Sequence, residues 1–445
     1  DPGVVPRAEE TRLALHLIGR WISAVLGGAT VIAVYFIGKR LYSRRAGLGA
    51  AFLTAGLPAH VLLSHYATVD VPVTFFITVS FFFSVLILQK GKLFYYLSAG
   101  FFAGLAAGTK YNGIFALFPV MGAHFLARPG IASFRRRRKD LRLPLAVLTA
   151  LLVFLATTPY LLTNIEKFSS DLLSQSKYLI REGHGPIFIS TAPGFIYQAR
   201  YVLYYMGGIV FQIMSLIGIV YALVRRRRAD WLIVCWIVPY FILISIPTVK
   251  FARFFLPLLP FLALSAARLL NIRWRTGRTR LIMTSLWILG AAWIFFQGIG
   301  MASLLHRPDV RLEAKEWLED TIASGRTVGM IRTETGQIFL DDPPLKPGNS
   351  KLEVVRYKRL LPALKDSPDY IIATNFDYRQ ILRLEEKYDI KRCRRWREFL
   401  SEKLNYRKIK EFESRPSFLF FRFGGPFPPH DLLYNRPHIQ IFEKI

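Results

Sequence analysis

An aspartate, two lysines and an arginine stand at the mouths of long apolar runs: Asp70 in "SHYATVDVPVTFF", Lys110 in "TKYNG", Lys250 and Arg253 in "PTVKFARFFLPLLP". Ionisable groups in such places cost free energy, about 2.5–3.5 kcal/mol each at the centre of a membrane helix and less near an end. Their types point to a chemistry. A guanidinium grips phosphate bidentately and an ammonium acts on it as a point charge. A carboxylate beside them can orient an attacking hydroxyl or take its proton. The set suits a phosphate-bearing ligand together with a group that handles a proton. His65 and Tyr66 adjoin Asp70, Tyr111 follows Lys110, His184 lies in "REGHG", and Arg20 opens the first apolar run; these are candidate substrate-binding residues. Plainer readings stand beside each. Asp70 could cap the helix "VPVTFFITVS", with Pro72 in its first turn. Lys110, Lys250 and Arg253 could be interfacial anchors that snorkel to headgroups. His184 could be an ordinary loop residue and Arg20 a topological anchor. Taken together, a cluster on one side of a membrane implies a polar cavity open to that side.

The elements that must position these groups are apolar helices. Of 445 residues 52% are hydrophobic, and ten candidate spans follow, at about 13–38, 46–64, 69–88, 94–108, 110–127, 143–162, 196–224, 230–247, 252–270 and 280–305. A crossing takes roughly 20 apolar residues, so 94–108 is short and suits a helix that ends within a cavity. Lysine and arginine total 22 in the loops at 39–45, 89–92, 128–142, 225–228 and 268–280, against 6 in the alternate loops. The first set is therefore read as cytoplasmic. Asp70, Lys110, Lys250 and Arg253 then share the outer side, and an even number of spans places the tail after 306 there too. The net charge of +29 sits in short blocks such as "RRRRK" between apolar segments, which reads as loop charge and excludes nucleic acid as partner.

Residues 307–445 change composition. "DVRLEAKEWLEDTIASG" reads as an amphipathic helix ending at Gly325, and β-like runs follow at "RTVGMI", "DYIIAT", "YRKIKEF" and "SFLFFRF". That alternation predicts a small extracytoplasmic α/β domain, 307–445, beside a transmembrane domain, 1–306. The outer loop 163–195, with "EKFSSDLLSQSKYLI" in amphipathic spacing, could lie in the interface and gate the cavity. Cys235 lies in an apolar run and Cys393 in the polar tail, so no disulfide is expected. No His/Cys/Asp/Glu cluster at metal-ligand spacing occurs; a divalent metal stays open only through carboxylates from separate loops.

The stretch from "GRWISAVLGGATVIAVYFIGKRLYSRRAGLGAAFLTAGLPAHVLLSHYATVDVPVTFF" through "YYLSAGFFAGLAAGTKYNG" resembles the core of the GT-C membrane glycosyltransferases, nearest to glycosyltransferase family 39 with its protein O-mannosyltransferases and lipid A aminoarabinose transferases. "PYLL", "GHG", "KFARFFLPLLPFLAL" and "PHDLLYNRPHIQIFEK" follow in the family's order. The resemblance implies a multi-pass α-helical GT-C fold in the cell membrane. It implies transfer of a sugar, with inversion, from a polyprenyl-phosphate donor to a protein, lipid or glycan acceptor on the extracytoplasmic face. By position it makes Asp70 an acidic residue lining the active site. Lys110 and Arg253 become donor-phosphate ligands, with Lys250 a weaker third, and His184 a member of the covering loop. The family's catalytic base is an acid early in the first outer loop. The chain resembles the family only from the end of that loop onward, so the base is expected before residue 1, with Asp1, Glu9 and Glu10 the acids remaining. Two rivals are weighed against this reading. A transporter or flippase for a lipid-linked or anionic substrate would favour midplane polar groups and internal repeats, and the chain shows neither. A scaffolding protein would leave the outer charge cluster unexplained.

Overall fold

Apolar runs of this length permit one solution, because in lipid each backbone N–H and C=O must find its partner within the segment, and a helix provides it. The computed structural model describes residues 4–127, 140–183, 185–331, 352–384, 386–423, 425, 428–435 and 437–445. Two units form, one of Asp1–Gln175, Pro193–Ala302 and Ser417–Phe423, the other of Ser176–Ala192, Ser303–Pro416 and Gly424–Ile445.

The first unit is helical. It contains α1 (Val4–Leu41), α2 (Arg44–Gly56), α3 (Pro58–Leu63), α4 (Asp70–Lys90), α5 (Leu93–Thr109), α6 (Leu117–Leu126), α7 (Arg142–Thr157), α8 (Ile165–Lys177), α9 (Leu203–Arg225), α10 (Arg228–Ser245), α11 (Leu259–Ala267) and α12 (Gly277–His306). Among the described residues six helical stretches are long and apolar enough to cross a membrane, including Ala14–Leu41, Asp70–Lys90 and Ala252–Asn271. Leu93–Thr109, Tyr111–Leu126 and Arg142–Thr157 are shorter apolar helices, so the stretch at 94–108 is helical and short as its length suggested. The run at 46–64 is broken at Leu57, extended at ψ 122°, because Pro58 disfavours helical geometry in the residue before it.

Without a hydrophobic drive in lipid, helices associate through small residues that let backbones approach. Gly100, Gly104 and Gly108 repeat every four residues along α5 and meet α7. A Cβ on Gly100 would lie 2.2 Å from the Ala146 carbonyl oxygen, and one on Gly104 2.6 Å from that of Ala150. Gly104→Leu is therefore expected to destabilise the bundle by about 1–3 kcal/mol, read as a lower thermal midpoint of the detergent-solubilised chain. Gly28→Leu is the matched control, since nothing lies within 4 Å of a Cβ added there; an equal drop there would sink the explanation.

The hairpin β5 (Ser417–Phe418) and β6 (Phe421–Arg422) belongs to this unit, not to the outer sheet that its sequence suggested. Its rings pack on α12, Phe418 5.4 Å from Phe296, and Phe421 and Phe423 each 5.7 Å from Trp293.

The second unit is an α/β sandwich. Its five-stranded sheet runs β2 (Glu353–Tyr357), β1 (Thr327–Ile331), β3 (Tyr370–Thr374), β7 (His438–Lys444), β4 (Tyr406–Glu413). β1 is parallel to both neighbours, whereas β7 is antiparallel to β3 and β4. One face buries Val328, Met330, Ile372, Ile439 and Ile441 beneath α13 (Val310–Thr321). The other buries Ile371, Ala373 and Phe442 against α14 (Leu360–Asp366), α15 (Asn375–Arg383) and α16 (Glu386–Leu400). Part of the loop at 163–195 joins this unit, where Arg383 Nη2 donates to the Ile187 carbonyl at 2.8 Å. Cys235 and Cys393 are both free thiols.

At the start of α15, Asp377 Oδ2 accepts from the Thr374 N–H at 2.7 Å and from its hydroxyl at 2.8 Å, while Oδ1 is buried without a partner among the described residues. Burial pushes the Asp377 carboxyl up to about 7 from 3.8, against the lowering effect of the Thr374 hydrogen bonds. The folded protein therefore holds a proton that the unfolded chain releases near pH 4. The resulting stability is complete below that pH and is lost as pH rises through 7. Glu411 acts in the opposite sense. Held down to about 2 by hydrogen bonds from Lys408 and His438, it contributes stability above pH 4.5 that is lost on acidification. Asp377→Asn is expected to flatten the fall in unfolding midpoint between pH 4 and pH 7; an unchanged slope would show that another group carries it.

Candidate functional site

The site is built where four backbone segments end together. α4 begins at Asp70, the acidic residue of its first turn, one residue after the N-cap Val69. The side chain is buried, and Asp70 Oδ1 accepts from Lys110 Nζ at 2.7 Å. Lys110 ends α5 in an extended conformation, its N–H bonded to the Ala106 carbonyl, and the chain then turns into a 3-10 segment, Tyr111–Ala116. Gly113 makes that turn feasible: any Cβ there would lie 2.2 Å from the Ala106 oxygen.

Facing this pair is the segment Lys250–Phe254. Lys110 Nζ lies 4.6 Å from the centre of the Phe254 ring. The Arg253 guanidinium lies 4.8 Å from Phe251 and 5.9 Å from that same Phe254 ring. Lys250, 8% exposed, has its Nζ 5.3 Å from the Tyr197 ring. Aromatic faces attract cations by their quadrupole and help to hold these side chains in place. Lys110, Lys250 and Arg253 are the donor types that hold a phosphate, the ammoniums as point charges and the guanidinium bidentately.

Two residues that the sequence did not single out complete the arrangement. Asn112 Nδ2 donates to Tyr240 Oη at 2.8 Å, and Tyr240 Oη donates to the Phe254 carbonyl at 3.3 Å. Tyr240 stacks on Trp236 at 4.6 Å, and Trp236 Nε1 donates to the Pro257 carbonyl at 3.1 Å. The sequence hint is "PYF" within a span, where Pro239 lies inside α10.

The remaining candidates are dispersed. His65 is exposed, and its Nδ1 meets its own helix at the Val61 carbonyl, 2.7 Å away. Tyr66 is half-buried and Arg20 is exposed on α1. Tyr111 is 48% exposed, with its ring edge-on to Phe168 at 5.9 Å. His184 lies outside the described residues. Among the described residues no group of three or more metal-ligating side chains is found.

A second charged cluster lies at the other helix ends. Asp230, in the first turn of α10, accepts from Arg268 Nε at 3.1 Å and from Tyr42 Oη at 2.9 Å, and both charged side chains are 1% exposed. The Arg268 guanidinium sits 4.7 Å from the Tyr42 ring and 5.0 Å from that of Tyr221.

Residues 16–162, which include Asp70 and Lys110, match the family model of dolichyl-phosphate-mannose-protein mannosyltransferase. No curated protein matches. Among solved structures, ArnT from Cupriavidus metallidurans bound to undecaprenyl phosphate is similar at 11% identity, with 95% of this chain and 83% of that one covered and a TM-score of 0.50. The Archaeoglobus fulgidus oligosaccharyltransferase in its apo form is 13% identical over 80% of this chain, with a TM-score of 0.44; the chain spans 58% of its length. The likeness to ArnT is one of fold. The fold shared with ArnT is the one that the resemblance implied, a multi-pass helical unit and a small α/β unit.

Proposed function

We propose that the chain is a glycosyltransferase that moves a sugar from a polyprenyl-phosphate donor to an acceptor on the extracytoplasmic face of the membrane. The observation that carries this is the geometry around Phe254, where Lys110 and Arg253 meet one aromatic ring beside the buried carboxylate of Asp70. The matched stretch 16–162, which holds Asp70 and Lys110, supports it. The Lys/Arg asymmetry of the loops, 22 against 6, supports placing these helix ends outside.

A hydroxyl or amine of the acceptor attacks the anomeric carbon, the bond from that carbon to the phosphate oxygen breaks, and the polyprenyl phosphate leaves with the electron pair. The proton of the nucleophile passes through solvent to the released phosphate. Attack opposite the leaving group inverts the centre. Charge grows on the departing phosphate, and fixed cations aimed at growing charge are the most effective form of such stabilisation. Arg253 and Lys110 serve in that role, with Lys250 behind them. Asp70 Oδ1 already accepts from Lys110, so its part is to fix the ammonium and balance its charge. His65, Tyr66, Tyr111, His184 and Arg20 remain candidates for acceptor contacts. The acceptor is a protein, a lipid or a glycan.

The test uses the purified full chain in liposomes with mannosyl-phosphoundecaprenol as donor and a cell-envelope extract as acceptor source. Release of undecaprenyl phosphate together with sugar-labelled acceptor is the expected result. Movement of intact donor across the bilayer with neither product would replace the transferase reading with a transporter.

A further inference from the structure

Tyr240 has one proton and spends it on the Phe254 carbonyl, 3.3 Å away. What faces its oxygen from Asn112, at 2.8 Å, must then be a donor, the amide nitrogen. In this arrangement Asn112 Oδ1 faces away from Tyr240. That oxygen is buried and has no donor among the described residues, and a ligand's hydrogen reaches it only when neighbouring side chains shift. Buried acceptors in native proteins are ordinarily satisfied. One left open two residues from Lys110, in the 3-10 turn that follows it, is an acceptor for a ligand's O–H or N–H.

We propose that Asn112 Oδ1 accepts a hydrogen bond from a hydroxyl or amino group of the donor's sugar, making Asn112 a specificity-determining residue and Tyr240 the positioning residue that sets its amide. The inference rests on the transferase reading above, and names within it the group that separates a sugar-bearing donor from bare lipid phosphate. Lys110 and Arg253 hold the phosphate that both ligands share. Asn112 adds a contact that only the glycosylated lipid can use. A site with a polar group placed for a ligand's hydrogen rejects the analogue that lacks it, because the protein atom is then left unmet.

The experiment compares binding of undecaprenyl phosphate with that of its mannosyl, glucosyl and 4-aminoarabinosyl derivatives to the full chain in detergent. The wild type is expected to bind one derivative about tenfold more tightly than the bare lipid phosphate. In Asn112→Leu that preference should vanish while affinity for the bare lipid stays within about twofold. Asn112→Asp keeps an acceptor and should retain the preference. Tyr240→Phe, which frees the amide to turn, should lose it in part, and it serves as the readout where Asn112→Leu does not fold. Equal weakening of all lipids in Asn112→Leu, or a preference unchanged in it, would overturn the proposal. So would a wild type that binds bare lipid phosphate and prefers no derivative. A wild type that binds none of the four instead overturns the transferase reading itself.

Discussion

Replacing Lys110 by methionine is expected to lower the rate of sugar transfer by about 10²–10³-fold, the effect of removing one fixed donor from a growing oxyanion. The single variant carries a second consequence. Asp70, 5% exposed, loses the ammonium 2.7 Å from it. Leaving a fully buried partner uncompensated costs about 3–5 kcal/mol. Lys110 is 25% exposed, so solvent screens the pair and the cost here falls below that range. A low rate in Lys110→Met alone would therefore mix lost chemistry with lost fold.

The double variant Asp70→Asn/Lys110→Met separates the two. It removes both charges and leaves an amide beside an apolar stem of similar length, so the thermal midpoint should return close to that of the wild type. The transfer rate should not return, because the phosphate still lacks its ammonium. Asp70→Asn alone keeps the cation but frees it from its anchor, and an intermediate rate follows. Donor consumption and thermal unfolding measured on the same preparations decide the matter. Activity recovering in step with stability would mean that the pair is structural and that Lys110 is not a phosphate ligand.

The bundle was legible because a membrane leaves little freedom. Each run near 20 apolar residues became a helix, and even the break in the second was written in the Pro58 that follows Leu57. Asp70 and Lys110 stood out as charges at apolar helix ends. Their pairing did not, since they lie 40 residues apart and no local pattern joins them. Asn112 and Tyr240 are 128 apart, and each looks ordinary alone, a polar turn residue and a tyrosine in a span. In the α/β unit, "RTVGMI", "DYIIAT" and "YRKIKEF" contain β1, β3 and β4 as their alternation suggested. "HIQIFEK" forms β7, which joins β3 to β4, a placement that no local pattern in the sequence specifies. "SFLFFRF" went elsewhere because its two-residue strands are too short to extend a sheet, and its rings find Trp293 and Phe296 on α12.

Asp230→Ala carries the largest expected loss of stability. Asp230 and Arg268 each expose 1% of the side chain, so water screens neither charge and salt cannot substitute for the partner. The carboxylate accepts three times: from Arg268 Nε at 3.1 Å, from Tyr42 Oη at 2.9 Å and from the Arg227 N–H at 3.3 Å. It ties the end of α1 and the segment after α11 to the first turn of α10, where a negative charge also suits the helix dipole. Arg268 Nη2 is already without a hydrogen-bond partner among the described residues; removal of Asp230 leaves the whole guanidinium to the Tyr42 and Tyr221 rings. The expected cost is about 3–5 kcal/mol, a fall in midpoint of about 10 °C. Asp230→Leu/Arg268→Met should recover most of it, because apolar replacement of a buried pair is commonly neutral or stabilising. Transfer activity in the double variant should remain near that of the wild type, since the cluster occupies the helix ends opposite Lys110. A double variant as unstable as Asp230→Ala would show that the tyrosine hydroxyl and backbone bonds, rather than charge pairing, hold this end of the bundle.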